Sequence, residues 1–120
     1  MYKIEVDTVR NRICITLSGF FSLEEIRRCG DETIEATRKV KRGFDVITDI
    51  SSFKPGTTDV ANDIQRVQAH FRTAGVRRAV RIVGKSSIAS MQFSRTGKLA
   101  DFQSTNVETM AEAEKILAAK

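Results

Sequence analysis

The stretch Phe44–Val60, FDVITDISSFKPGTTDV, constrains the chain more than any other. Phe44–Ile50 carries Val46, Ile47 and Ile50 and reads as a buried strand. The segment Ser51–Gly56 then holds Pro55 and Gly56, and a chain punctuated this way turns. Thr57, Thr58 and Asp59 are residue types that open helices, and Val60, Ile64, Val67 and Phe71 follow at helical spacing until Gly75. Strand, short loop and helix in this order place the loop at the carboxyl edge of a sheet, where α/β domains carry their sites.

The same change of period recurs along the chain. Tyr2, Ile4 and Val6 alternate with Lys3, Glu5 and Asp7, and Ile13, Ile15 and Leu17 alternate with Cys14, Thr16 and Ser18; the two runs predict an antiparallel hairpin ending at Gly19. Ser22 and Glu25 form a capping-box pattern ahead of Leu23, Ile26, Cys29, Thr33, Thr37 and Val40, and Gly43 stops that helix. Val76–Val83 predicts a fourth strand, Ser86 or Ser87 caps a third helix carrying Ile88, Met91 and Leu99, and Gln103–Val107 is a short last strand. Thr109 with Glu112 repeats the capping box before a final helix through Ile116 and Leu117.

The order β-β-α-β-α-β-α-β-α predicts an α/β fold with a five-stranded, mainly parallel mixed sheet and an antiparallel first strand. Strand parity gathers Ile4, Ile15, Val46, Val80 and Ile82 on one face, and Asp45, Asp49, Arg77 and Arg81 on the other. A sheet with one polar face should carry its helices mainly on the apolar one. Asp45 and Asp49 then face Arg77 and Arg81 on a neighbouring strand, which points to cross-strand ion pairs rather than catalysis.

With 120 residues, the whole of 1–120 reads as a single domain able to build a core without staples. No apolar run approaches the length of a membrane span, and MYKIEVD is strand-like rather than signal-like. Cys14 and Cys29 stand apart and His70 is the one histidine, so no metal spacing and no cofactor loop is present in the sequence; a cytoplasmic chain with reduced thiols is the economical expectation. The net charge of +5 is spread over Arg27–Arg28, Arg38–Lys39, Lys41–Arg42, Arg77–Arg81 and Arg95–Lys98. Without interleaved aromatic residues this argues against a nucleic-acid groove.

Three stretches, ICITLSGFFSLEEI, DVITDISSFKPGTTDV and VRRAVRIVG, together with the element order, resemble the SpoIIAA-like/STAS superfamily of anti-sigma-factor antagonists and related domains. In the antagonist branch the second helix opens on Asp-Ser-Ser-Gly, and a serine there is phosphorylated by a partner kinase. Gly56, Thr57, Thr58 and Asp59 stand at those positions here. Thr57 and Thr58 remain candidate phospho-acceptors, but Asp59 opposes a second negative charge beside them. The chain is more similar to the SpoIIAA-like branch lacking the phosphosite, for which the resemblance implies apolar-ligand or membrane binding.

The expected site is therefore the carboxyl edge, where Phe20, Phe21, Phe53, Lys54, Thr57, Thr58, Lys85, Ser86 and Ser87 meet. Helix N-termini and two lysines there would attract an anion, and two exposed phenylalanines beside Lys54 would suit a membrane surface. The function expected is a non-enzymatic regulatory or binding module engaging a protein partner, a small apolar or anionic ligand, or a peripheral membrane surface. The alternatives are a phosphorylatable switch of antagonist type and a small enzyme using Asp49, Thr57/Thr58 and Lys85. The competing bland reading makes Thr57 and Thr58 a simple helix cap.

Overall fold

The computed structural model describes residues 1–84 and 87–118, with 87–89 described by backbone alone. Strands β1 (Tyr2–Asp7) and β2 (Arg12–Gly19) pair antiparallel, Tyr2 opposite Leu17 and Asp7 opposite Arg12. Helix α1 (Leu23–Ala36) starts at Ser22, whose Oγ accepts the Glu25 N–H at 3.1 Å. The reciprocal half of the capping box is replaced: the Glu25 carboxylate lies 3.1 Å from the Met1 ammonium. A 3-10 turn, Thr37–Lys39, tightens the helix end, and Gly43 at φ 90° turns the chain towards the sheet.

Strand β3 (Asp45–Phe53) is parallel to β2 and extends past the expected Ile50, because Ser18 and Gly19 continue the ladder with Ser52 and Phe53 after a register shift. The loop consequently shrinks to residues 54–57. Helix α2 (Thr58–Ala74) closes on Gly75 in the left-handed region, as expected. Strand β4 (Arg78–Ile82), helix α3 (Ser87–Ala100), strand β5 (Thr105–Val107) and helix α4 (Met110–Ala118) complete the chain. Lys85 and Ser86 lie outside the described residues.

The sheet order is β1-β2-β3-β4-β5, with β2 to β5 parallel. Its crossovers all advance in one direction, so the right-handed rule puts α1, α2 and α3 on one face. There Ile13, Ile15, Val46 and Ile50 meet Ile26, Ile64, Phe71 and Phe93 in the main core. Helix α4 is no crossover, and it folds onto the opposite face. Ala113 and Leu117 pack there on Ile47, Val80, Ile82 and Val107, while Glu114 accepts from Arg12 Nη1 at 2.8 and 2.9 Å. The helices are thus mainly on one face.

Two parity expectations are corrected. Val80 and Ile82 pack under α4 rather than under α1–α3, because Val46 pairs with Ala79 and Thr48 with Arg81 in the parallel register. Arg81 is thereby carried into the α3 side, over the Phe93 ring, and does not meet Asp49. Arg77 does form the expected pair with Asp45, Nε–Oδ1 3.0 Å and Nη2–Oδ2 2.6 Å, with Asp45 buried near the end of α4. Helix α3 is also rotated from expectation. Phe93 and Thr96 face inward, whereas Met91 and Leu99 are 63% and 68% exposed. The Ile88 side chain lies outside the described residues.

Candidate functional site

At the carboxyl edge the loops after β2 and β3 are stitched together, the Lys54 N–H donating to the Gly19 carbonyl at 3.0 Å. Beneath this stitch, the Phe53 ring lies 5.7 Å from Phe21 and 5.3 Å, edge-on, from Phe93. The cluster ties β3, α3 and the start of α1 together from within. Two phenylalanines exposed beside Lys54 are therefore not found. Phe21 and Phe53 retain 7% and 2% of their surface, and Phe20 alone of the expected three points out, at 76%. Strand exits in this fold face inward on one side of the chain and outward on the other, and consecutive Phe20 and Phe21 take opposite sides.

Thr57 is the N-cap residue of α2, but its side chain makes no capping hydrogen bond; Thr57 and Thr58 are both exposed. Asp59 supplies the acidic group in the first turn that the helix dipole favours. The loop is instead held by a residue the sequence reading passed over. Gln92 of α3 accepts the Gly56 N–H at 3.2 Å and donates Nε2 to the Gly56 carbonyl at 3.0 Å. Gly56 is required here, since a Cβ would sit 2.7 Å from Val60 Cγ1. An amide side chain on the helix after the next strand gives no local signal, which is why its role emerges only in three dimensions.

Between α2 and α3 runs a groove of about 260 Å³, walled by Thr57, Thr58, Asn62 and Gln65 on one side and Arg95 and Leu99 on the other. Met91, Arg95 and Leu99, spaced i, i+4, i+8, form one exposed stripe of α3. Ser87 opens α3 at the same edge.

Of the residues nominated for catalysis, Lys85 lies outside the described residues, and Asp49 stands apart from Thr57 and Thr58. Asp49 Oδ1 accepts from the Ser51 N–H at 3.0 Å and from Ser51 Oγ at 2.7 Å, a local turn contact, and Asp49 does not line the groove that holds Thr57 and Thr58. His70 Nε2 lies 3.0 Å from Thr37 Oγ1, and that hydroxyl donates to the Ile34 carbonyl at 2.6 Å. The oxygen therefore accepts the Nε2 proton, and His70 serves as a link between α2 and the end of α1. Burial pushes the Cys29 thiol up to about 12 and raises that of Cys14, leaving both as neutral thiols at physiological pH.

No protein-family model matches the chain, and no curated protein matches it. Solved structures do. The NMR structure of the protein TM1081 superposes with a TM-score of 0.66 at 10% identity, over 100% of this chain and 90% of that one. The anti-sigma factor antagonist SpoIIAA in its unphosphorylated form gives 0.62 at 16% identity, with both chains fully covered. The Bacillus cell fate determinant SpoIIAA in its phosphorylated form gives 0.57 at 18%, over 98% of this chain and 99% of that one. The chain has the SpoIIAA-like/STAS fold, as the sequence resemblance implied. No helix among the described residues is long and apolar enough to cross a membrane.

Proposed function

We propose that this chain is a non-enzymatic regulatory module that docks a protein partner along the α2–α3 groove and the adjoining corner at Phe20. The observation that carries the reading is the α3 stripe. Met91 and Leu99 are large apolar side chains left in solvent on α3 with Arg95 between them, Arg95 and Leu99 wall the groove, and Phe20 stands exposed where the chain leaves β2. Exposed apolar side chains around a groove with a cationic rim fit a segment bearing apolar anchors and carboxylates. The net charge of +5 adds long-range attraction for such a partner. Two of the similar solved structures, both of SpoIIAA, describe it as an anti-sigma factor antagonist and as a cell fate determinant with a phosphorylated form, which is a regulatory role. The engaging residues on this reading are Phe20, Lys54, Thr57, Thr58, Arg95 and Leu99.

A photo-crosslinking amino acid placed at Phe20 or Leu99 in the native cells tests this directly. Val9, 95% exposed on the β1–β2 turn, is the control position. The expected result is a discrete protein adduct from Phe20 and Leu99 that is missing from Val9. Equal adducts from all three positions, or none, would remove the reading. Peripheral membrane contact through the same edge would show instead as salt-sensitive retention on vesicles containing anionic lipid.

A further inference from the structure

The sheet and helices α1, α2 and α3 line a partly open cavity of about 50 Å³, which shares no lining residue with the α2–α3 groove and is mostly walled by apolar side chains such as Ile15, Ile64, Phe71 and Phe93. Four polar side chains also line it, each more than nine-tenths buried: Thr33, whose hydroxyl donates to the Cys29 carbonyl at 2.8 Å, and Asp63, Gln68 and Arg81. Asp63 Oδ1 is bonded by Arg66 Nε at 3.0 Å, so its charge is offset, although Oδ2 has no partner. Gln68 donates Nε2 to the Phe93 carbonyl at 3.3 Å, and its Oε1 is left without a donor.

Arg81 is the exception in charge. Among the described residues its polar contacts are two neutral oxygens, Ser94 Oγ and Asn106 Oδ1, each at a long 3.4 Å. Its guanidinium carbon lies 5.3 Å above the centre of the Phe93 ring. Burial pulls its pKa down to about 10, and no carboxylate of the described residues acts against that. Proteins seldom leave a buried cation without a counter-ion, and a bidentate guanidinium is the usual receptor for a carboxylate.

We propose that this cavity binds a small organic monocarboxylate, its carboxylate paired with Arg81 and a hydroxyl of the ligand donating to Gln68 Oε1. Arg81 and Gln68 both contact Phe93, one on the ring and one on the carbonyl, so one small molecule can reach both. At roughly 10–15 Å³ of such space per water, the cavity takes the place of about three to five waters, which fits an acid of a few carbons. The phenylalanines supply the apolar contact for its chain. Arg81 is the one cation among the described lining residues, so a second carboxylate would be buried without a partner, which selects against dicarboxylates. The outer wall is Phe102 and Ser104, half-buried in the connection from α3 to β5, and this is the way in.

The test is a thermal-shift and calorimetric titration of the whole chain with butyrate, β-hydroxybutyrate, butanediol and succinate at matched ionic strength. Butyrate is expected to raise the unfolding temperature and β-hydroxybutyrate to raise it more, with binding saturating at millimolar concentrations. Butanediol and succinate should do neither. Arg81→Met should abolish the response and Arg81→Lys weaken it. Heteronuclear NMR of the unsubstituted chain gives an independent readout, because β-hydroxybutyrate should move the Arg81 Nε and Gln68 side-chain amide resonances. Equal shifts from acid and diol, an undiminished response in Arg81→Met, or no response with those resonances unmoved would each overturn the proposal and leave a cavity that holds water alone.

Discussion

Replacing Arg81 by Met should make the empty protein more stable. Arg81 keeps 4% of its surface, and burial lowers its pKa well below the ordinary guanidinium value, to about 10. At ~1.36 kcal/mol per unit, keeping the guanidinium charged in the folded state costs about 3 kcal/mol. The compensation visible in the structure is smaller. The stacking on Phe93 is worth about 1–2 kcal/mol when desolvated, and the two 3.4 Å contacts lie beyond good hydrogen-bond length. Met is flexible, fills the space beside Phe93 and carries no charge, and Asn106 keeps its bond to Ser90 Oγ at 3.0 Å. The net gain is about 1–2 kcal/mol, or very roughly 4–8 °C in Tm for a chain of this size. Urea unfolding at neutral pH, with the m-value unchanged, measures it. The sign with pH is also determined. A cation with a depressed folded pKa weighs against folding wherever it is protonated, so the variant's advantage is full below about pH 10 and fades as pH climbs from there towards the ordinary guanidinium value. A variant less stable than the parent by more than about 1 kcal/mol at neutral pH would refute the reasoning and show Arg81 to be well compensated.

Phe53→Ala should cost about 3–5 kcal/mol and Phe20→Ala stay within about 0.5 kcal/mol, since the first opens the Phe21–Phe53–Phe93 cluster and the second trims a side chain already in water; similar urea midpoints for the two would contradict that difference. Gln92→Ala removes both bonds to Gly56 and should cost about 1–2 kcal/mol with faster exchange of the Gly56 amide; unchanged exchange would mean the loop is held by other contacts. Cys29, with its thiol raised to about 12, should resist an aromatic disulfide reagent in the native state while the half-buried Cys14 reacts first. Its neutral form adds stability that is whole below pH 9 and is lost as pH rises towards 12, so urea midpoints should fall over that window. Thr57 and Thr58 should carry no phosphate in protein from its native cells, because repulsion from Asp59 matches the ~0.3–1 kcal/mol that the helix dipole offers; an intact mass with a substantial phosphorylated fraction there would show a switch of the antagonist type.

Much of the fold was legible because it is written locally. Period-two alternation placed β1 and β2, the 3.6-residue stripe Val60–Ile64–Val67–Phe71 placed α2, and Ser22, Thr109 and Gly75 marked helix ends where side chains or a left-handed backbone meet unpaired groups. The covering of one sheet face was expected from strand parity, but it is the sheet order, with crossovers that all advance in one direction, that puts α1–α3 there. What alternation cannot supply is the phase of one strand against the next. The parallel register of β4 against β3 put Val80 and Ile82 under α4, and it turned Arg81 into the interior. The same limit applies at the carboxyl edge. Phe20 and Phe21 are adjacent and chemically identical, and only packing against Phe53 decides which is core. Asp63 and Gln68 interrupt the apolar side of α2, a sign visible in the sequence, but their orphaned oxygens acquire meaning only once α1, α3 and β4 close a cavity around them. Local chemistry selects elements and their ends, whereas burial is a property of the pairs of surfaces that meet, and those pairs exist only in the folded chain.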